Sequence, residues 1–224
     1  MTRYRTLFLD LDDTLYPSSS GLWEAIAERI LAYMSERFGI PQEEAHVLRR
    51  QYFHEYGTTF NGLRLHYQAD AEDYMAYVHD LPLKQFIKPA PELRDMLAGL
   101  PQKRVIFTNA SREYVERVLG CLGIREVIDQ IVDIFALALV NKPVPESYQR
   151  AMALAHESDA AACILVDDLL RNLLPAAQLG MTTVLVGDDH MEAAAHYRIR
   201  NVLELPQAIP YLLASPAESS PDVP

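Results

Sequence analysis

Short, mainly apolar runs recur along the chain, with stretches of helical periodicity between them. The apolar runs lie at 7–9, 105–107, 163–166 and 183–186, with a weaker one at 128–134. Uninterrupted apolar runs of this length are typical of strands buried on both faces of a parallel sheet. Helical stretches lie at 111–122, 144–156 and 171–180. This alternation predicts an α/β fold with a doubly wound parallel sheet.

The interval between the first two strands is too long for a single crossover. About 90 residues separate Thr14 from Arg104, whereas a crossover needs only a dozen or more. Apolar residues recur there at helical spacing, and helices are expected at 22–38, 42–56, 59–68, 70–79 and 92–99. We therefore expect a helical insertion, residues 17–85, over a Rossmann-like core formed by 1–16 and 86–214.

Composition narrows the class of protein further. Of the 224 residues, 20 are Lys or Arg and 31 are Asp or Glu, giving a net charge of −11. Such a chain is a poor partner for nucleic acid or an anionic membrane surface. Two cysteines are too few for a disulfide framework or a structural zinc site. We expect a cytoplasmic monomer or homodimer with a small-molecule substrate, and a disordered tail at 215–224, which holds three Pro and three Ser.

Polar side chains follow the predicted strands. They are Asp10 and Asp12 after the first, Thr108 and Asn109 after the second, Lys142 in the loop after the third, and Asp167 and Asp168 after the fourth. Ligands of open α/β sheets bind beyond the carboxyl ends of the strands. We therefore expect these side chains to meet at one edge of the sheet.

Four carboxylates at one edge repel one another unless a cation lies among them. Mg²⁺ prefers oxygen ligands and keeps part of its water shell. Together with the Lys142 ammonium, such an ion gives the site two positive centres able to hold a phosphoryl group. In that arrangement Asp10 attacks phosphorus and Asp12 acts as acid and base, with the Asp12 carbonyl also within reach of the metal.

The segment Asp10-Leu11-Asp12-Asp13-Thr14 after an apolar strand resembles the first signature of the haloacid dehalogenase-like (HAD) hydrolases. Thr108-Asn109, Lys142-Pro143 and Asp167-Asp168 match the other three signatures in order. The resemblance implies a nucleophile at Asp10, an acid/base at Asp12, phosphate contacts from Thr108, Asn109 and Lys142, and metal binding by Asp10, Asp12, Asp167 and Asp168. Among the metal carboxylates Asp168 is favoured over Asp167. The helical insertion is similar to the family's C1-type cap.

Further segments resemble the pyrimidine 5'-nucleotidase branch of that superfamily, which removes phosphate from UMP and CMP. They are Leu15-Tyr16-Pro17, Tyr56-Gly57-Thr58-Thr59 with Gly62-Leu63, and Tyr77-Val78-His79-Asp80-Leu81-Pro82. The resemblance implies base or ribose contacts from Thr58, Thr59 and His66, although His66 also fits a packing role. A phosphatase for another small ester, such as a sugar phosphate or phosphoglycolate, and a phosphomutase stay open as alternatives. A dehalogenase is disfavoured because it has no alkoxide for Asp12 to protonate.

Overall fold

The computed structural model describes residues 3–187, 194–209 and 212–213. Within these ranges, strands form one parallel sheet with the order β3-β2-β1-β4-β5-β6. The strands are β1 (Thr6–Leu9), β2 (Lys103–Phe107), β3 (Gln130–Val132), β4 (Cys163–Asp167), β5 (Thr182–Val186) and β6 (Tyr197–Ile199). This order is that of doubly wound sheets, in which the direction of winding reverses between β1 and β4. The predicted fold class is confirmed.

The strands show why the apolar runs had no alternation. Every residue of β1, β4 and β5 is buried. Along β1, Leu7 and Leu9 join one hydrophobic cluster, and Phe8 joins another on the opposite face of the sheet. The short strand β6 was not predicted, because only one of its three residues is buried.

Helices connect the strands. In the order of the chain they are α1 (Leu22–Phe38), α2 (Gln42–Tyr56), α3 (Thr59–Tyr67), α4 (Ala71–Val78), α5 (Pro91–Ala98), α6 (Arg112–Leu122), α7 (Pro145–Leu154), α8 (Leu170–Gln178) and α9 (Leu205–Ala208). Helices α1 to α4 all lie within the predicted insertion. Nowhere in the described ranges does a helix combine the length and apolar character needed to cross a bilayer.

The insertion shares a hydrophobic cluster with one face of the sheet. Ile26 and Met34 of α1 belong to the same hydrophobic cluster as Leu9 of β1 and Val166 of β4. This shared core places the insertion beside the carboxyl ends of β1 and β4. The tail predicted to be disordered, 215–224, lies outside the described residues.

Candidate active site

The site lies at the carboxyl ends of β1 and β4, where the winding of the sheet reverses. Asp10 follows β1, and its backbone N–H donates to the carbonyl of Val166 at 2.9 Å. Asp167 is the last residue of β4, and Asp168 comes next in the chain. Parallel pairing of β1 with β4 therefore brings all three acids to one edge, as the sequence predicts.

The ammonium of Lys142 lies between two of these carboxylates. Its Nζ is 2.7 Å from Asp10 Oδ1 and 2.6 Å from Asp167 Oδ2, and the side chain is only 1% exposed. Burial alone would lower the pKa of Lys142, but the two carboxylates reverse that effect and raise it. Lys142 is therefore a fixed cation at the sheet edge.

The acids nevertheless outnumber this cation. Asp10, Asp167 and Asp168 each place a carboxylate oxygen within 4.8 Å of the other two. Burial, reinforced by the neighbouring carboxylates, raises the pKa of Asp10 to about 7 and that of Asp168 to about 9. Three oxygen ligands that destabilise each other's charge are a donor set that fits a divalent cation such as Mg²⁺.

Asp167 and Asp168 have different surroundings. Asp167 is fully buried, and its oxygens accept hydrogen bonds from Lys142, from the Leu169 N–H at 2.9 Å and from the Asn172 amide at 2.9 and 3.2 Å. Asp168, in contrast, lines the open cavity described below. Asp167 therefore holds Lys142 in place, while Asp168 faces the space that a ligand enters.

Two phenols hold the carboxylate of Asp12. Its Oδ1 accepts from the Tyr16 hydroxyl at 2.5 Å and from the Tyr114 hydroxyl at 2.7 Å. Burial raises the pKa of Asp12, although the two hydrogen bonds act in the opposite direction. The His79 ring stacks on Tyr114 with centroids 4.0 Å apart. This stack fixes the phenol that orients Asp12.

The predicted phosphate contacts Thr108 and Asn109 lie at the same edge. Thr108 is buried, and its hydroxyl accepts from the Ala110 N–H at 3.1 Å. The Asn109 amide bonds the backbone of Lys142 twice, accepting from its N–H at 2.8 Å and donating to its carbonyl at 3.1 Å. Asn109 thus positions the segment that carries Lys142.

A cavity of about 270 Å³ lies between the sheet edge and the insertion. Its sheet side is polar and includes Asp10, Asp12, Thr108, Lys142 and Asp168. Its insertion side is largely apolar and includes Trp23, Ile26, Ile30, Phe60, Met75 and Val78. This division matches a small ligand with a charged end and an apolar body.

The residues predicted for base or ribose contact fall in different places. Thr58 and Thr59 line the cavity, but both hydroxyls also make local bonds. Thr58 accepts from the Asn61 N–H at 3.1 Å, and Thr59 donates to the Arg49 carbonyl at 3.2 Å. His66 is not among the cavity-lining residues; its ring stacks on Tyr52, and its Nε2 lies 2.8 Å from the Tyr56 hydroxyl.

The insertion contacts the Lys142 segment closely at Gly57. Gly57 has φ +84, and a Cβ there would overlap Asn141 Nδ2 and lie 2.9 Å from Pro143 Cδ. Arg171 of α8 strengthens the junction, donating to the carbonyls of Phe53 and Gly57. Only glycine fits between the two parts of the chain at this point.

Replacing Gly57 with alanine is expected to separate the insertion from the Lys142 segment. The free energy of unfolding should fall by about 1–3 kcal/mol, because the left-handed backbone and the overlap both cost stability. The kcat/KM for any substrate should fall with it. Gly120→Ala is the matched control, since Gly120 lies in α6 with no heavy atom within 4 Å of the added methyl group. Urea unfolding should show a lower free energy of unfolding for Gly57→Ala and no decrease for Gly120→Ala.

Sequence reasoning missed several residues of the site. Arg49 reaches it from α2, far in sequence from any signature, and Tyr114 reaches it from α6, a few residues after the signature at Thr108-Asn109. For Arg49 a signal existed, since it lies four residues after Ala45 and three before Tyr52, both on the buried face of α2. No signal in the sequence pairs Tyr114 with Asp12, because 102 residues separate them.

Several known proteins are similar to this chain. The chain is 26% identical to Phosphate metabolism protein 8 of Saccharomyces cerevisiae, over 90% of this chain and 71% of that protein. It is 24% identical to validoxylamine A 7'-phosphate phosphatase of Streptomyces hygroscopicus subsp. limoneus, over 84% and 87% of the two chains. The crystal structure of CbbY from Rhodobacter sphaeroides in complex with phosphate superposes with a TM-score of 0.66 at 19% identity, covering 93% of this chain and 99% of that one.

A family model covers the whole site. It matches residues 4–180, a range that begins at β1 and extends past α8, and so includes all four signatures and the insertion between the first two. Asp10 and Asp167, which belong to two of those signatures, lie beside Lys142, which belongs to a third. The chain belongs to the haloacid dehalogenase-like hydrolases.

Proposed function

We propose that this protein is a Mg²⁺-dependent phosphomonoesterase that works through an aspartyl-phosphate on Asp10, with a pyrimidine nucleoside 5'-monophosphate as substrate. The observation that carries the proposal is the Lys142 ammonium, buried 2.7 Å from Asp10 at the polar end of the cavity. A fixed cation beside a carboxylate nucleophile is the arrangement that phosphoryl transfer needs. Similarity to two proteins named for phosphate metabolism or phosphatase activity supports the same class.

In this mechanism Asp10 attacks phosphorus, and the bond between phosphorus and the ester oxygen breaks. Asp12 protonates the departing alkoxide, so that the product leaves as an alcohol. Asp12 then takes a proton from water, which attacks the acyl phosphate and releases inorganic phosphate and free Asp10. Burial favours this role, because it raises the pKa of Asp12 and so stabilises the acid form relative to the carboxylate.

Lys142 and Thr108 are the groups that hold the phosphoryl oxygens. Lys142 stays cationic because two carboxylates flank it, and Thr108 lines the same end of the cavity. We propose that Mg²⁺ is held by the carboxylates of Asp10 and Asp168 and by the carbonyl of Asp12. Asp167 acts by fixing Lys142. When bound, the ion neutralises negative charge on the carboxylates and the phosphoryl group.

The choice of pyrimidine nucleotide rests on the resemblance of the insertion segments to the pyrimidine 5'-nucleotidase branch. The cavity is consistent with it, since about 270 Å³ and an apolar insertion side suit one small flat group. A second candidate is another small phosphate ester. The relative named as validoxylamine A 7'-phosphate phosphatase favours that alternative.

A panel of phosphomonoesters tests both the reaction and the substrate. Hydrolysis of UMP and CMP should exceed that of AMP, GMP, ribose 5-phosphate and phosphoglycolate in kcat/KM. EDTA should abolish all turnover and added Mg²⁺ should restore it. Zn²⁺ added after EDTA is the control, because it shows whether any divalent ion restores turnover or Mg²⁺ in particular.

Two results would contradict the proposal in different ways. Equal kcat/KM across the panel would remove the nucleotide assignment while leaving a phosphatase. Unchanged turnover in EDTA would remove the metal from the mechanism, whatever the substrate.

A further inference from the structure

One cation in the cavity has no part in the mechanism above. Arg49 lies on the inward face of α2 and lines the cavity from the insertion side. Its Nε is buried and has no hydrogen-bond partner among the residues that the structure describes. A buried guanidinium N–H without an acceptor is costly, so an acceptor from a ligand would stabilise it.

Arg171 lines the same cavity and provides a contrast. Its Nε is also without a partner in the described ranges. However, its other two nitrogens donate to the carbonyls of Phe53 and Gly57, and its guanidinium lies 3.7 Å from the centre of the Phe53 ring. Arg171 is thus held in the contact between the sheet and the insertion, whereas the Arg49 side chain makes no hydrogen bond to any residue that the structure describes.

The surroundings of Arg49 indicate what it would bind. Tyr74 is 4% exposed and lines the cavity. Burial raises the pKa of its hydroxyl, and the charge of Arg49 acts on the same group in the opposite direction. Apolar and aromatic side chains, including Trp23 and Phe60, form much of this wall. Two donors, the Arg49 guanidinium and the Tyr74 hydroxyl, therefore belong to a wall that also offers stacking surfaces.

We infer that Arg49 and Tyr74 form a second polar subsite, which binds a carbonyl or carboxylate oxygen on a flat leaving group of the substrate. The planar guanidinium suits such an oxygen in geometry and charge. The inference rests on the proposed phosphomonoesterase function, because it describes the part of the substrate that carries the phosphate. It applies equally to a pyrimidine ring and to another flat ring with an oxygen acceptor.

Matched substrate pairs test this subsite. UMP is compared with ribose 5-phosphate, which lacks the ring, and 4-carboxyphenyl phosphate with phenyl phosphate, which lacks the acceptor. Arg49→Met should lower kcat/KM about 10- to 100-fold for UMP and 4-carboxyphenyl phosphate, the range for a lost hydrogen bond to a charged group. The other two substrates should change by less than about twofold, within the range expected of a side chain that does not contact them. Arg50→Met, an exposed neighbour on α2, is the control.

Further variants separate the sources of the acceptor. Tyr74→Phe should lower kcat/KM for UMP and 4-carboxyphenyl phosphate as well, but by a smaller factor than Arg49→Met. If Arg49→Met lowers kcat/KM more for 4-carboxyphenyl phosphate than for UMP, the acceptor that the subsite prefers is a carboxylate. If it lowers kcat/KM more for UMP, the preferred acceptor is a ring carbonyl. Either result supports the subsite. Equal losses on all four substrates, or no loss on any, would overturn it.

The pairs also distinguish this inference from the proposed function. If wild-type protein turns over UMP well and Arg49→Met is unaffected, the subsite is wrong and the nucleotidase assignment stands. If UMP is a poor substrate, 4-carboxyphenyl phosphate is a good one, and Arg49→Met lowers kcat/KM for the latter, the subsite stands and the nucleotidase assignment fails. Thermal melting of each variant in the same buffer shows whether folding accounts for a loss.

Discussion

Asp10→Asn is expected to abolish turnover and to leave the fold intact. The amide has the size of the carboxylate but cannot form the acyl phosphate, so kcat should fall by at least about 10⁴-fold, as for other enzymes that lose their nucleophile. Lys142 keeps its contact with Asp167, so the buried ammonium retains an anionic partner. Steady-state hydrolysis and circular dichroism of the same preparation measure the two effects.

The control for this substitution is Asp95→Asn. Asp95 is exposed on α5 and pairs with Arg94 at the surface, so both activity and stability should stay at the wild-type level. Asp10→Asn with activity within about tenfold of wild type would exclude Asp10 as the nucleophile, since a residual rate that high needs another group.

Lys142→Met is expected to reduce both stability and activity. The substitution leaves Asp10, Asp167 and Asp168 together without the ammonium that lies between two of them. Breaking a buried ion pair from one side costs about 3–5 kcal/mol, which for a chain of this length lowers Tm by roughly 6–20 °C. Loss of a fixed positive group at the phosphoryl oxygens should lower kcat by about 10²–10³-fold or more.

Magnesium provides a second measurement on this variant. If the acids bind the ion, Mg²⁺ should raise the Tm of Lys142→Met in EDTA-treated protein by more than it raises that of wild type, because the variant lacks the other cation. Lys88→Met removes an exposed lysine and serves as the control. A Tm for Lys142→Met within about 2 °C of wild type, without added metal, would contradict the role of Lys142 in neutralising the cluster.

Much of the fold follows from local patterns. Strands β1, β2, β4 and β5 were predictable because burial on both faces leaves a run of apolar residues with no polar interruption. The helices of the insertion were predictable because one face of each is apolar at helical spacing. The edge strand β6 was not predictable, because it has three residues, of which Tyr197 is half-exposed and Arg198 exposed, and so it forms no apolar run.

The catalytic edge was predictable for a topological reason, and the rest of the site was not. The carboxyl ends of parallel strands share one edge, so acids that follow β1 and β4 must lie close together. Asp167 is buried, whereas the adjacent Asp168 is partly exposed and lines the cavity, and the sequence alone does not determine which of the two faces the ligand. Contacts such as Tyr114 with Asp12 depend on how α6 packs, and no spacing in the chain encodes them.

His79 illustrates the limit of motif reasoning. The sequence allows either a ligand contact or a pair with the adjacent Asp80. Its ring lies against Tyr114 and also lines the cavity, and burial lowers the pKa of the imidazole to about 3. Its neutral ring supports the phenol that holds Asp12.

The central claim is that Asp10 carries the phosphoryl group during turnover. The most direct measurement is rapid acid quenching of protein mixed with UMP and Mg²⁺, followed by proteolysis and mass spectrometry of the peptide that contains β1. We expect one phosphoryl group on Asp10 at early times and none in Asp10→Asn. A phosphoryl group on any other side chain, or phosphate release with no phosphorylated protein at any time during the first turnover, would contradict it.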